Sequence, residues 1–254
     1  MVYLHDGTFN GLLTCVYEHY YTEKANGIYY ENRYEMQLLE PEVNITTDDK
    51  KAGKVYDAIW NKISDEAMKN AYYTFLSDDY KKDCYILKYL ELGFKMGYKV
   101  DNDHTHKDVL NVHNLSSKVS KERHRLLGLL RFQEVGEVLY APLTPDNDVI
   151  ELLADHFADR MKNEKFIIHD KKRNKAVIYN KREWMITDFE YQEDIAISER
   201  ERNFQEMWKG YFEHIGIKER KNLVLQRQFV PTRYRKNIVE FNKGWRQQNA
   251  NLQR

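Results

Sequence analysis

Apolar positions along this chain recur first at helical and later at strand spacing. Val2–His5 reads as a short edge strand. The turn-and-cap signal Asp6-Gly7-Thr8 then precedes Phe9, Leu12, Leu13, Val16, Tyr17 and Tyr20, which share one helical face. Ala52, Val55, Tyr56, Ile59, Trp60 and Ile63 form a second stripe. Ser64 with Asp65 and Glu66 supplies a cap and an acidic first turn for a third helix, which buries Met68, Ala71, Tyr72, Phe75 and Leu76. A fourth helix, near Lys81–Met96, presents Tyr85, Ile86, Tyr89 and Leu90. Gly93 and Gly97 behind it permit close helix contact or mark a C-cap, with the cap favoured at Gly97.

The polar run DNDHTHKD, Asp101–Asp108, is a candidate seam, and a long amphipathic helix with Val112, Leu115, Val119, Leu126 and Leu130 on one stripe follows it. The period then changes. Phe132–Val135 and Val138–Leu143, split by Gly136, predict a hairpin, and Thr144-Pro145-Asp146 ends it. Asp148 and Glu151 have capping-box spacing before a helix built on Val149, Leu152, Leu153, His156, Phe157 and Met161. Lys165–His169, Ala176–Tyr179 and Trp184–Thr187 read as three more antiparallel strands. A capping box at Ser198–Glu201 opens a helix predicted to bury Phe204, Met207, Trp208, Tyr211, Phe212 and Ile215. Two basic segments finish the chain, the last starting at Pro231, with Tyr234, Ile238, Phe241 and Trp245 as its apolar stripe. The fold class is α+β. A helical N-terminal part, residues 1–100, packs on an α+β core, residues 101–254, the two being separate or one continuous domain. That core holds one antiparallel sheet of about five strands flanked by helices.

Composition adds few constraints. With 42% hydrophobic and 13% aromatic residues, a chain of 254 residues has the apolar surface for a core, which excludes wholesale disorder. The formal net charge is zero, but Lys218–Arg254 carries ten Lys/Arg against two acidic residues, a local +8 balanced by −8 in the rest. The two cysteines, Cys15 and Cys84, are far apart, which argues against a disulfide framework, a zinc ribbon or a self-contained iron–sulfur cluster. No metal or cofactor is expected. The opening segment MVYLHDGTFNG has no leader pattern, and no apolar run approaches the roughly 18 residues of a membrane span. The expected setting is cytoplasmic, with no membrane partner.

Candidate chemistry starts with HRLLGLLRFQEV. His124, Gly128 and Arg131 share one flank at i, i+4 and i+7, and the glycine leaves room for a phosphate, a base or another helix. Arg123 points nearer the apolar stripe and needs a carboxylate partner or a ligand. Asp101, Asp103, His104, His106 and His113 mix metal-binding side chains without a family-type spacing. His156 reads as a core histidine and the cysteines as buried apolar residues. Walker, GxGxxG, HExxH and GxSxG motifs are absent. The basic residues Arg220, Lys221, Arg227, Arg233, Arg235 and Lys236 either follow a phosphate backbone or form a solvated face.

The order KERHRLLGLLRFQEV, LYAPLTPDNDVIELLADHFADRM, FIIHDKKRNKAVIY, WKGYFEHIGIKERKN and FVPTRYRKNIVEF, with HDGTFNGLLTCVYEHY at the N-terminus, resembles a bacterial DNA metabolism and repair family of unknown fold and activity. The resemblance covers nearly the whole chain. It implies a DNA-related process, a neighbouring radical-SAM DNA repair or modification protein, and kinship with domains fused to uracil-DNA glycosylase-like domains. It brings no catalytic residues. It does mark His124, Arg125, Arg131, Phe132, Pro142–Asp146, His156–Phe157, His169–Asp170, Pro231, Arg233 and Tyr234 as positions of interest.

Three functions follow as expectations. In the first, the chain is a DNA-binding accessory to the radical-SAM enzyme. Arg220, Lys221, Arg227, Arg233, Arg235 and Lys236 then contact phosphates, His124, Arg131 and Arg123 line the groove, and a tyrosine such as Tyr234 stacks on a base. In the second, it is a nucleic-acid hydrolase or glycosylase-like enzyme with His124, His169 or Asp146 as acid or base and Arg131 stabilising charge. In the third, it is a structural partner without nucleic-acid contact.

Overall fold

Val2–His5 forms β1, and all four of its residues are buried. That explains why the segment shows no in–out alternation: it is a central strand, not an edge. In the computed structural model, which describes residues 1–36, 40–190 and 197–241, β1 lies between β2 (Gly27–Tyr30) and β3 (Glu42–Asn44), parallel to both. Between β1 and β2 runs α1 (Phe9–Tyr21), capped as predicted by the Thr8 hydroxyl, which accepts the Gly11 amide.

The first of two units, Met1–Lys121, continues with α2 (Asp49–Lys62), α3 (Asp65–Phe75) and α4 (Lys82–Met96). Ser64 caps α3 by accepting the Ala67 amide. Of the α2 stripe, Ala52, Val55, Ile59 and Ile63 are buried, whereas Tyr56 and Trp60 stack on each other at the surface. Both glycines of α4 act as anticipated. A Cβ at Gly93 would sit 2.6 Å from Ile63 Cδ1, so any other residue there would push the Ile63 side chain aside, and Gly97 ends the helix at φ +63°. The long helix α5 (Lys107–Leu129) spans the division at Lys121, which lies well past the polar run at 101–108. Its first half belongs to this unit because Val109 and Val112 enter the core beside Leu87 and Leu90, and the Val112 carbonyl accepts the Thr74 hydroxyl.

The second unit, Glu122–Arg254, carries a five-stranded sheet in the order β4 (Gln133–Val135), β5 (Val138–Leu143), β6 (Phe166–Asp170), β7 (Lys175–Tyr179) and β8 (Trp184–Asp188). The strand count agrees with the sequence pattern, but the sheet is mixed: β5 and β6 are parallel, joined through α6 (Glu151–Arg160), and the other neighbours are antiparallel. A strand–helix–strand order makes a parallel crossover, which strand periodicity alone does not reveal. Asp148 does not cap α6. Ile150 occupies that position, and Asp148 instead pairs with Lys175 at 2.9 Å. The core holds Tyr140, Leu143, Leu153, Phe157, Phe166, Ile168 and Val177. Phe132 packs edge-on against Phe157 and Phe166.

The largest departure lies in α7 (Glu199–Ile215). Ser198 caps it as predicted, but its apolar stripe is not core: Phe204 is 60% exposed, Met207 67% and Ile215 59%. Amphipathicity requires an apolar face and does not say what covers it. After the short helix α8 (Leu223–Phe229), the chain makes 3₁₀ turns at Thr232–Asn237 and Val239–Phe241 in place of one helix. Tyr234 and Ile238 are buried as the stripe requires, whereas Trp245 lies outside the described residues.

Candidate nucleic-acid interface

Glu122 organises a polar network in the second unit. Its carboxylate is buried and accepts from the Asp146 amide (2.7 Å), the Asn147 amide (2.9 Å), Asn147 Nδ2 (2.6 Å) and the Tyr234 hydroxyl (2.6 Å). The loop after β5 has amides that no strand satisfies, and a buried carboxylate must be hydrogen-bonded, so each supplies what the other lacks. Burial, and then the neighbouring carboxylate, push the Tyr234 hydroxyl above its ordinary pKa, so it stays a donor. Arg233 lies over the Tyr234 ring at 4.8 Å and pairs with Asp146 at 2.8 Å. The Asp146 carbonyl accepts from Lys172 and Arg173, and Arg173 also holds the buried Asp170 at 2.9 Å. The positions of interest at 142–146, 170 and 231–234 therefore meet around one loop.

Arg131 belongs to the same neighbourhood. Its Nε and Nη2 donate to Glu240 Oε1 at 3.0 and 2.9 Å, and its Nη1 donates to the Gly128 and Leu130 carbonyls. Together with Pro142, Thr144, Tyr234 and Asn237 it lines a cleft of about 10 Å³. That volume admits a water and no phosphate or base. His124 is exposed, and outside its own helix backbone nothing lies within 4 Å of where a Gly128 side chain would begin, so the predicted flank is open between His124 and Arg131. Arg123 is half-buried, and its partner is the Leu152 carbonyl at 2.9 Å, neither a carboxylate nor a ligand. His169 is fully buried, with Nδ1 2.7 Å from the Tyr140 hydroxyl, and burial lowers its pKa. Arg235 donates to the Val230 carbonyl and stacks on Phe241, while Lys236 is exposed.

A second surface gathers two of the predicted cations, Arg220 and Lys221, beside aromatic residues that the sequence assigns to the core. Between the end of α7 and α8 lies a groove of about 890 Å³. Phe212, Ile215, Ile217, Leu225 and Phe229 line it with Arg220, Lys221 and one acidic residue, Glu213. Asn222 caps α8 by accepting the Leu225 amide, which sets the helix against the groove. Arg227 is exposed on α8, and Arg220, Lys221 and Arg227 have no ion-pair partner among the described residues. Trp208 and Tyr211 stack one turn back on α7, 5.7 Å between ring centroids. Sequence reasoning finds the cations but assigns the aromatic residues to the core.

The sequence profile of DUF4130, a domain of unknown function, matches residues 80–240. The chain belongs to the DUF4130 family. The DUF4130 match takes in α4, α5 and the second unit through Glu240, and so includes the Glu122 network and the α7–α8 groove. Comparison with curated proteins and with solved structures returns no match. Among the described residues, no three His, Cys, Asp or Glu side chains are grouped to hold a metal, and no helix is long and apolar enough to cross a membrane. The Asp101–His113 cluster divides instead. Asp103 caps the turn into α5 through Thr105 and His106, while Asp101 accepts from the Ser64 and Tyr89 hydroxyls.

Proposed function

We propose that this DUF4130 chain binds unpaired DNA strands in the α7–α8 groove, as an accessory to a radical-SAM DNA repair or modification enzyme. The observation that carries the reading is the company the cations keep. Arg220 and Lys221 line the groove together with the aromatic rings of Phe212 and Phe229. Unpaired cations track phosphates, and exposed rings stack on bases that are not already stacked in a duplex. A solvated basic face needs no rings beside it, and a core helix would not leave them exposed. Arg233 pairs with Asp146 and must exchange it for a phosphate to take part. The radical-SAM enzyme enters through the sequence resemblance, which also supports DNA as the nucleic acid.

Fluorescence anisotropy with a labelled single-stranded oligonucleotide, titrated at increasing salt, tests this reading. Affinity should fall steeply with salt. The triple variant Arg220→Gln/Lys221→Gln/Arg227→Gln should reduce the slope by about 2, because each phosphate neutralised on a single strand contributes roughly 0.7. Phe229→Ala should weaken binding by about 1–3 kcal/mol at any salt. Binding indifferent to both changes would overturn it.

A further inference from the structure

The two edges of the five-stranded sheet differ. At one edge, β4 is three residues long, and its Glu134 amide donates to the buried Glu201 carboxylate of α7 at 3.1 Å. A short strand whose outward amide is already bonded offers little to a further strand. At the other edge, β8 is five residues long and pairs with β7 on one side only. Its sequence WMITD is rich in residues that favour strands, contains no proline or lysine, and carries its one charge at the end. Two of its apolar side chains are open to solvent, Met185 at 61% and Ile186 at 40%.

The hydrogen-bond pattern fixes which backbone groups of β8 face outward. The Asn180 amide donates to the Glu183 carbonyl, and the Phe189 amide donates to the Asn174 carbonyl. Bonded positions alternate with unbonded ones in an antiparallel pair, so Met185 and Thr187 turn their groups to Ile178 and Ala176 of β7. Trp184, Ile186 and Asp188 turn theirs to the free edge, where no backbone group among the described residues meets them. These three positions are symmetric about Ile186. A second β8 running antiparallel, with Ile186 opposite the partner's Ile186, sets Trp184 against the partner's Asp188, and each such pair exchanges both of its N–H···O bonds. A shift of two residues leaves an outward position unmatched. The same register lays Ile186 beside its own counterpart and Met185 beside the partner's Thr187, which covers the two exposed apolar side chains. We propose that β8 is a homodimer interface, which joins the sheets of two copies of this chain across a two-fold axis at Ile186. This assignment does not rest on the α7–α8 groove.

Sedimentation velocity of the full chain over a range of concentrations tests this. It should show a reversible monomer–dimer equilibrium with Kd of roughly 10–100 μM, a weak affinity that suits an interface below the standard size. Ile186→Lys keeps every backbone group and sets like charges opposite each other, while Ile186→Pro removes an outward amide, which an edge strand tolerates. Each should weaken association at least about tenfold with circular dichroism unchanged. Cysteine cross-linking reads the register, with wild type, which carries Cys15 and Cys84, as background. Ile186→Cys should form a covalent dimer under mild oxidation, since directly opposed residues lie about 5.5 Å apart. Asp188→Cys should not, because its counterpart is more than about 13 Å away along the strands. A chain monomeric at about 500 μM, association indifferent to both Ile186 variants, or Asp188→Cys cross-linking as readily as Ile186→Cys would each overturn the assignment.

Discussion

Glu122 sits in the run Lys121–Arg125 with nothing in its immediate sequence to mark it as more than a surface charge among three cations. Its partners are 24, 25 and 112 positions away, so only the fold reveals that it is a buried hub. Truncation to Glu122→Ala leaves several donors facing an apolar void and should cost about 3–5 kcal/mol of stability in urea denaturation. Tyr234→Phe removes one charge-assisted bond and should cost only about 1.5–3 kcal/mol. Equal losses would mean that the 232–237 turn, and not the carboxylate, holds the site together. Arg123 shows the complementary limit: the cost of burying its charge is legible in the sequence, but the choice of a carbonyl over a carboxylate is not.

His169 gives the residue scale its pH dependence. Burial depresses its pKa in the folded chain, so the neutral ring is favoured there and the unfolded chain takes up the proton first. For a histidine shifted in this direction, the contribution is complete above the unfolded value of 6.5 and is lost as pH falls below it. Asp170 is shifted upward by burial, the opposite sign for folding, since lowering the pH relieves its penalty. Thermal melts of wild type and His169→Phe, compared across this range, isolate the histidine because Asp170 is common to both. The wild type should lose more stability than the variant on acidification. Parallel curves would show that His169 does not titrate between the two states.

At the scale of elements, periodicity reveals where α1 to α7 form and fails on what α7 faces. The Thr8 and Ser64 caps, the Gly97 stop and the Ala52–Ile63 stripe are legible because each is written in adjacent residues. The direction of β5 relative to β6 is not, because alternation is the same in parallel and antiparallel strands. Nor is the exposure of α7, whose residues have the spacing of any core-facing helix. Mutation separates the two kinds of face. Phe204→Ser and Met207→Ser on α7 should change stability by less than about 0.5–1 kcal/mol. Leu153→Ala, fully buried on α6, should cost about 2–5 kcal/mol. A core-sized loss at Phe204 or Met207 would mean that the α7 face is covered in solution.

Over the whole molecule, a formal net charge of zero conceals the local +8 of Lys218–Arg254. Long-range attraction to a polyanion follows from the total and is weak here, because salt screens charges beyond about 8–10 Å. Strand binding therefore has to come from cations that touch phosphates. Position should then matter more than number, and charge reversal can test that directly. Arg220→Glu/Lys221→Glu and Lys95→Glu/Lys99→Glu both take the formal net charge from zero to −4. The first pair sits in the α7–α8 groove, whereas the second is exposed in the first unit. Oligonucleotide binding should fall by more than about tenfold with the groove pair and by less than about twofold with the other. Equal weakening by both would trace binding to the charge of the chain as a whole, and the groove would lose its claim to the strand.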